Sequence, residues 1–158
     1  MPLLEGLQAG VGWTEALLLA CVAALAVVVL QAIARVVLPR STSHWLILDA
    51  MMGRTGRATT LAAPLLAMQV AWQLLPDDLK GINAVRQANG LMLIGALTWL
   101  VIGAIGGLAD GVIRKHPLDV EDNLQARRIA TQSRVLARSA MVVVLIGGAA
   151  MALMTFPG

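Results

Sequence analysis

The side chains that could do chemistry are few, and most of them are basic. Arg127, Thr131, Arg134 and Arg138 recur at i, i+4, i+7 and i+11, which puts them on one face of a helix, with Arg128 beside it. Such a stripe at a membrane surface attracts anionic lipid at about 1 kcal/mol per residue. The alternative is a solvated face that only sets topology. Just before it, Asp119 is a suitable helix N-cap, with Asp122 three residues on and Glu121 adding negative charge to the first turn. Asp110 and Arg114, at i and i+4, are spaced for a local ion pair. Cys21 is the single cysteine and sits inside an apolar run, so it reads as a small buried hydrophobe and not as a nucleophile. The sequence carries no nucleotide loop, metal-ligand cluster or nucleophile–base set, so neither an enzyme nor a cofactor is expected.

The elements that must carry these residues are apolar. Hydrophobic residues make up 58% of the chain and charged ones 13%, against roughly 25% charged in an ordinary soluble domain. A soluble chain of this length would need more polar surface than that. The isoelectric point near 10.0 could suggest nucleic acid, but the basic residues lie between apolar blocks without interleaved aromatics, so no nucleic-acid partner is expected.

A bilayer core of roughly 30 Å needs about 20 mostly apolar helical residues. Four blocks qualify, and the expected fold is all-α: a four-helix transmembrane bundle or paddle with spans at about 14–38, 58–75, 88–114 and 135–156. The second block is the least apolar, because it carries Pro64, Gln69 and Gln73. The stretch before Arg35 lacks the basic start of a secretory signal, so the first span is expected to be retained.

Loop charge orients the chain. Arg35, Arg40, Arg54 and Arg57 lie in or beside the connection 39–57; Arg114, Lys115, Arg127, Arg128, Arg134 and Arg138 lie in or beside the connection 115–134. Lys80 and Arg86 are all that the intervening connection holds. Ten of the twelve basic residues thus fall on alternate connections, which the positive-inside rule puts in the cytoplasm, leaving both termini outside. Trp13, Trp72 and Phe156 then fall at outer ends, as interfacial aromatics should.

The connections have features of their own. Trp45, Leu48 and Met52 recur at helical spacing within 41–57, which predicts a short interfacial helix or an ordinary loop helix packed on its neighbours. His116 and Pro117 end one helix, and from Val120 to Ile146 no Pro or Gly intervenes, so the last helix should run unbroken into its span. The spans themselves contain no Asp, Glu, Lys, Arg or His in their apolar cores, which argues against a pump or coupled transporter. Small residues carry the packing signal instead: Gly95, Gly103, Gly107 and Gly111 on one face of the third span, Gly148 and Ala152 on the fourth, and Ala16, Ala20 and Ala24 on the first.

The run LDVEDNLQARRIATQ over 118–132, then Arg134, Val135 and Leu136 and an apolar helix closing with LMTFPG, resembles bacterial members of the small-conductance mechanosensitive channel (MscS-like) family. The likeness is good over 91–158 and general before that. It implies a homo-oligomeric, heptameric channel of the bacterial inner membrane, gated by tension and releasing ions and small solutes under osmotic stress. Here the helices would form a lipid-facing paddle. Asp119, Asp122, Arg127, Arg128, Arg134 and Arg138 would hold that paddle to lipid headgroups or to a domain below. The family's pore helix and cytoplasmic β-domain should follow Gly158 and are absent from this sequence, so a sensor region without its pore is expected. The alternative is a self-contained membrane scaffold or assembly protein.

Overall fold

A computed structural model describes residues 12–37, 46–77, 79–115 and 124–156. Within them are four helices and no strand: α1 (Trp13–Val37), α2 (Leu46–Gln73), α3 (Ile82–Lys115) and α4 (Leu124–Met154). The expected all-α, four-helix fold is what the chain adopts.

Local chemistry accounts for the boundaries. The Gly12 carbonyl accepts from the amides of Glu15 and Ala16, each at 3.1 Å, and Glu15 puts negative charge on the first turn of α1. After α2, Pro76 prevents the helix from continuing. The chain reverses through Gly81, whose φ of 86° is a left-handed conformation that side chains other than glycine rarely adopt. The Gly81 carbonyl then accepts from the Val85 amide at 3.2 Å and opens α3.

Two sequence expectations are redrawn here. The helix expected within 41–57 and the span expected over 58–75 are one helix in the described residues, because neither Gly53, Gly56 nor Pro64 stops α2. Pro64 is tolerated inside it, as it is in membrane helices whose neighbours re-satisfy the freed backbone. On the other side of the molecule, α4 is unbroken from Leu124 to Met154, about 46 Å at 1.5 Å per residue, as the absence of Pro and Gly before Gly147 requires. The Asp119 cap, Asp122 and the Trp45 turn lie outside the described residues, and so does the His116–Pro117 break.

Three helices are long and apolar enough to cross a membrane: 13–36, 82–114 and 128–154. Helix α2 falls short of them because Arg54 and Arg57 mark its first half and Gln69 and Gln73 its second. The helices pack in sequence order. Among the described residues α1 packs on α2 only, α4 packs on α3 only, and the α2–α3 seam is the most extensive. The arrangement is therefore an open row with α2 and α3 in the middle, not a closed ring. A buried cluster joins Ala16 and Ala20 of α1 to Ala71 and Trp72 of α2, to Leu75 just after it, and to Ile82 of α3. Large apolar side chains on the outer helices face away from the protein, among them Leu18, Val22 and Leu30 of α1 and Val143, Ile146 and Leu153 of α4. In water such a surface would aggregate; against lipid tails it is matched. Cys21 is exposed on α1, in contrast to the burial expected, because only the stripe carrying Ala16 and Ala20 meets α2.

Candidate functional site

The seam between α2 and α3 concentrates the polar groups of the fold, and it has three parts. At one end, the glycines of α3 let the two backbones come close. A methyl group placed on Gly107 would lie 2.5 Å from Met51 Cα and 2.8 Å from the Ala50 carbonyl oxygen; one placed on Gly103 would lie 3.3 Å from the Arg54 carbonyl oxygen. Arg54 leaves α2 opposite Gly103 and passes over Gly106 to Asp110, where its Nε stands 2.9 Å from the carboxylate. The direction follows from helix geometry: side chains lean toward their own helix's N-terminus, and these helices are antiparallel, so Arg54 and Asp110 lean toward each other. Asp110 therefore pairs across the seam with Arg54 instead of along α3 with Arg114. Both partners are partly exposed, at 52% and 38% of the side chain, so the pair fixes position more than it adds stability.

The opposite end is held by amide and guanidinium groups. Asn89 is buried and donates to the Leu65 carbonyl at 3.1 Å and to Gln69 Oε1 at 2.6 Å. Arg86 donates to the carbonyls of Trp72 (2.9 Å) and Leu75 (2.7 Å), which the end of α2 leaves without helical donors, and pairs with Asp77. Between these ends α2 and α3 part around Pro64 and Gly95, leaving an apolar groove of about 460 Å³.

The flanking seams use different devices. From α1, Gln31 donates to the Thr59 carbonyl at 3.1 Å, while Arg35 reaches the Gly56 carbonyl at 3.4 Å and the Thr60 hydroxyl. Pro64 withholds a helical donor from the Thr60 carbonyl, four residues before it, and these bonds go to the Gly56 and Thr59 carbonyls in the turn before that. Between α3 and α4, Gly148 sits against Thr98, with a methyl placed on it 2.9 Å from Thr98 Cγ2, and Gln87 donates to the Thr155 carbonyl at 3.0 Å. Helix-interior hydroxyls bond back to their own backbone, as Thr55 does to Met51 (2.8 Å) and Thr98 to Ile94 (2.7 Å), which hides them from lipid.

The residues singled out in the sequence are thus spread over several places. Gly103 and Gly107 face the α2 backbone, Gly148 faces Thr98, Gly111 is buried, Ala152 is half-buried, and Gly95 has open space around it in the groove. Arg128, Arg134 and Arg138 are exposed along α4, with Thr131 exposed among them; Arg127 is in the same helix. The structure does not gather this stripe with the α2–α3 seam into one site. Sequence reading passed over Gly106, Asn89 and the roles of Arg54 and Arg86. Gln69 had marked its block as imperfect, and a second amide one helix later was the signal for its partner.

No family model, curated protein or solved structure matches the chain. What the fold and composition support is a multi-pass membrane protein whose intramembrane polar groups tie helix to helix.

Proposed function

We propose that this chain is the tension-sensing transmembrane region of a mechanosensitive channel subunit of the MscS-like kind. The observation that carries the reading is the open row. In such a row every helix keeps a lipid-facing side, so in-plane stress acts on each of them, and a change of tilt changes the area the row occupies. Tension favours whichever packing has the larger area, which makes the row a two-state element biased by the bilayer. The resemblance over 118–132 supplies the family, and loop charge supplies the orientation, with both ends outside and the connections 39–57 and 115–134 in the cytoplasm. On this reading Asp119, Asp122, Arg127, Arg128, Arg134 and Arg138 meet lipid headgroups or a domain beneath the membrane, and subunits assemble as a homo-oligomer.

The test is electrical. The full coding frame is expressed in bacterial spheroplasts stripped of their own tension-activated channels, and excised patches are stretched. Stepwise currents that rise with suction support the reading; patches that stay silent up to rupture overturn it. A membrane scaffold is the second reading, favoured by the interhelical bonds found at every seam of the row. It requires silent patches together with specific capture of a membrane partner.

A further inference from the structure

The apolar groove in the α2–α3 seam has a feature that the packing of the helices does not use. Its walls are Leu61, Pro64, Leu65 and Met68 of α2 and Met92, Gly95, Ala96 and Trp99 of α3, and Thr60 is the one polar side chain lining it. Thr60 already bonds to the Gly56 carbonyl and to Arg35, so the groove offers no unused hydroxyl. At about 460 Å³ it falls within the roughly 300–1,000 Å³ range of small-molecule sites. At Gly95 the groove is open: a methyl there would meet nothing within 4 Å. An empty apolar groove forfeits the dispersion contacts its walls could make, so in a bilayer it is filled.

A cation lies one turn of α2 beyond the groove's lining residues. Arg57 lies one turn before Leu61 on the same face of α2, with Pro64 and Met68 continuing that face at i+7 and i+11. Its neighbours are committed elsewhere, Arg54 to Asp110 and Arg35 to Thr60. Arg57 is exposed and makes no hydrogen bond or ion pair with the described residues.

We propose that this groove is a phospholipid site, in which one acyl chain lies along Pro64, Gly95 and Trp99 and the phosphate is held by Arg57. The occupant follows from the chemistry of the two parts: an apolar slot open to the membrane and one uncommitted guanidinium, whose planar fork matches a phosphate's paired oxygens. A single monoanionic phosphodiester satisfies both. The proposal rests only on the chain crossing a membrane, not on its being a channel.

Native mass spectrometry of the full chain, delipidated in detergent and titrated with phosphatidylglycerol, tests it. The wild-type chain is expected to retain one phospholipid. Arg57→Gln should weaken retention about five-fold, the equivalent of about 1 kcal/mol for one basic residue at an anionic lipid surface. Gly95→Leu, which fills the slot, should reduce retention to the detergent background. Lys80→Gln removes an equal charge from the exposed turn between α2 and α3 and should leave retention unchanged. Unchanged retention in Gly95→Leu overturns the groove. Equal losses in Arg57→Gln and Lys80→Gln overturn the role given to Arg57. A dimer that dissociates in Gly95→Leu would mean that a second copy, not lipid, fills the slot, which also overturns the proposal. If Gly95→Leu fails to fold, Met92→Trp fills the same groove from an exposed position. Tension-activated currents could be present or absent under any of these outcomes, so this site and the channel reading fail separately.

Discussion

Two glycines of α3 that look equivalent in the sequence should respond in opposite ways to the same substitution. Gly95 and Gly107 are both interior to the helix, twelve residues apart, and Ala adds one methyl to each. At Gly95 that methyl meets nothing within 4 Å. Only helix propensity then acts, and Ala is favoured over Gly by about 1 kcal/mol. At Gly107 the methyl would lie 2.5 Å from Met51 Cα, 2.8 Å from the Ala50 carbonyl oxygen and 2.9 Å from the Met51 amide nitrogen. All three are backbone atoms, so no rotamer change relieves the clash. Carbon pairs settle at about 3.5–4.0 Å, so α2 must back away by about 1 Å at its closest approach. Overpacking of that kind costs about 1–3 kcal/mol. Propensity cancels between the two variants, leaving Gly107→Ala about 1–3 kcal/mol below Gly95→Ala. For a chain of this size each kcal/mol moves the midpoint by about 2–4 °C. Thermal unfolding in detergent micelles, followed by the fluorescence of the buried Trp72, should therefore separate the pair by several degrees, with Gly95→Ala at or above the wild type. If Gly107→Ala melts with Gly95→Ala, the close approach of α2 to α3 is wrong.

The polar ties should show a graded order in the same assay. Arg86→Gln removes the donors to two carbonyls at the end of α2 and should cost about 1.5–3 kcal/mol, the range for hydrogen bonds to charged groups. Asp77→Asn should cost much less, because Asp77 is 81% exposed; equal losses would mean that the ion pair and not the carbonyl cap holds the turn. Asn89→Leu breaks two interhelical bonds and should cost about 1 kcal/mol, since such bonds in membranes average about 0.6 each; a stabilised variant would refute their contribution. A double-mutant cycle on Arg54→Gln and Asp110→Asn should give a coupling below about 1 kcal/mol, given the exposure of both groups, and a coupling near zero at every salt concentration would remove the pair from the seam.

Much of the fold was legible, and what was missed has physical causes. Helix number and the continuity of α4 followed from apolar runs and from the absence of breakers, because in lipid the backbone has few alternatives to a helix. The length of α2 did not follow, since Arg54 and Arg57 read as loop charges. Within the row they lie on a helix whose Arg54 has its counter-ion on the next helix, and one sequence cannot show which helix is next. The same gap explains Asp110: i, i+4 spacing allowed Arg114, and only the antiparallel neighbour offered Arg54. Cys21 was misjudged because an apolar neighbourhood in sequence means burial in a soluble core but only a lipid-facing surface here. Of the candidate site, the glycine face was visible and its division into packing glycines and an open one was not. Gly103, Gly107 and Gly95 are spaced at multiples of four, yet on a helix of 3.6 residues per turn that spacing sets Gly95 about 80–120° around the axis from the other two, which meet the α2 backbone.

The three seams also differ in kind, and that difference bears on how the row can move. Between α2 and α3 the contact is backbone against glycine at one end and a buried amide pair at the other, so sliding either helix breaks both. Between α1 and α2 the ties are long side chains, Gln31 and Arg35, reaching carbonyls that already sit in a helix. Between α3 and α4 they are Thr98 against Gly148 and one amide at Gln87. Lipid offers no hydrophobic penalty for parting helices, so each seam is only as stiff as its packing and hydrogen bonds. The outer helices α1 and α4 are therefore each held by a less extensive seam than the one that joins α2 to α3. On the proposed reading the row changes its area without unfolding any helix, because the bonds that must break lie between helices and not within them.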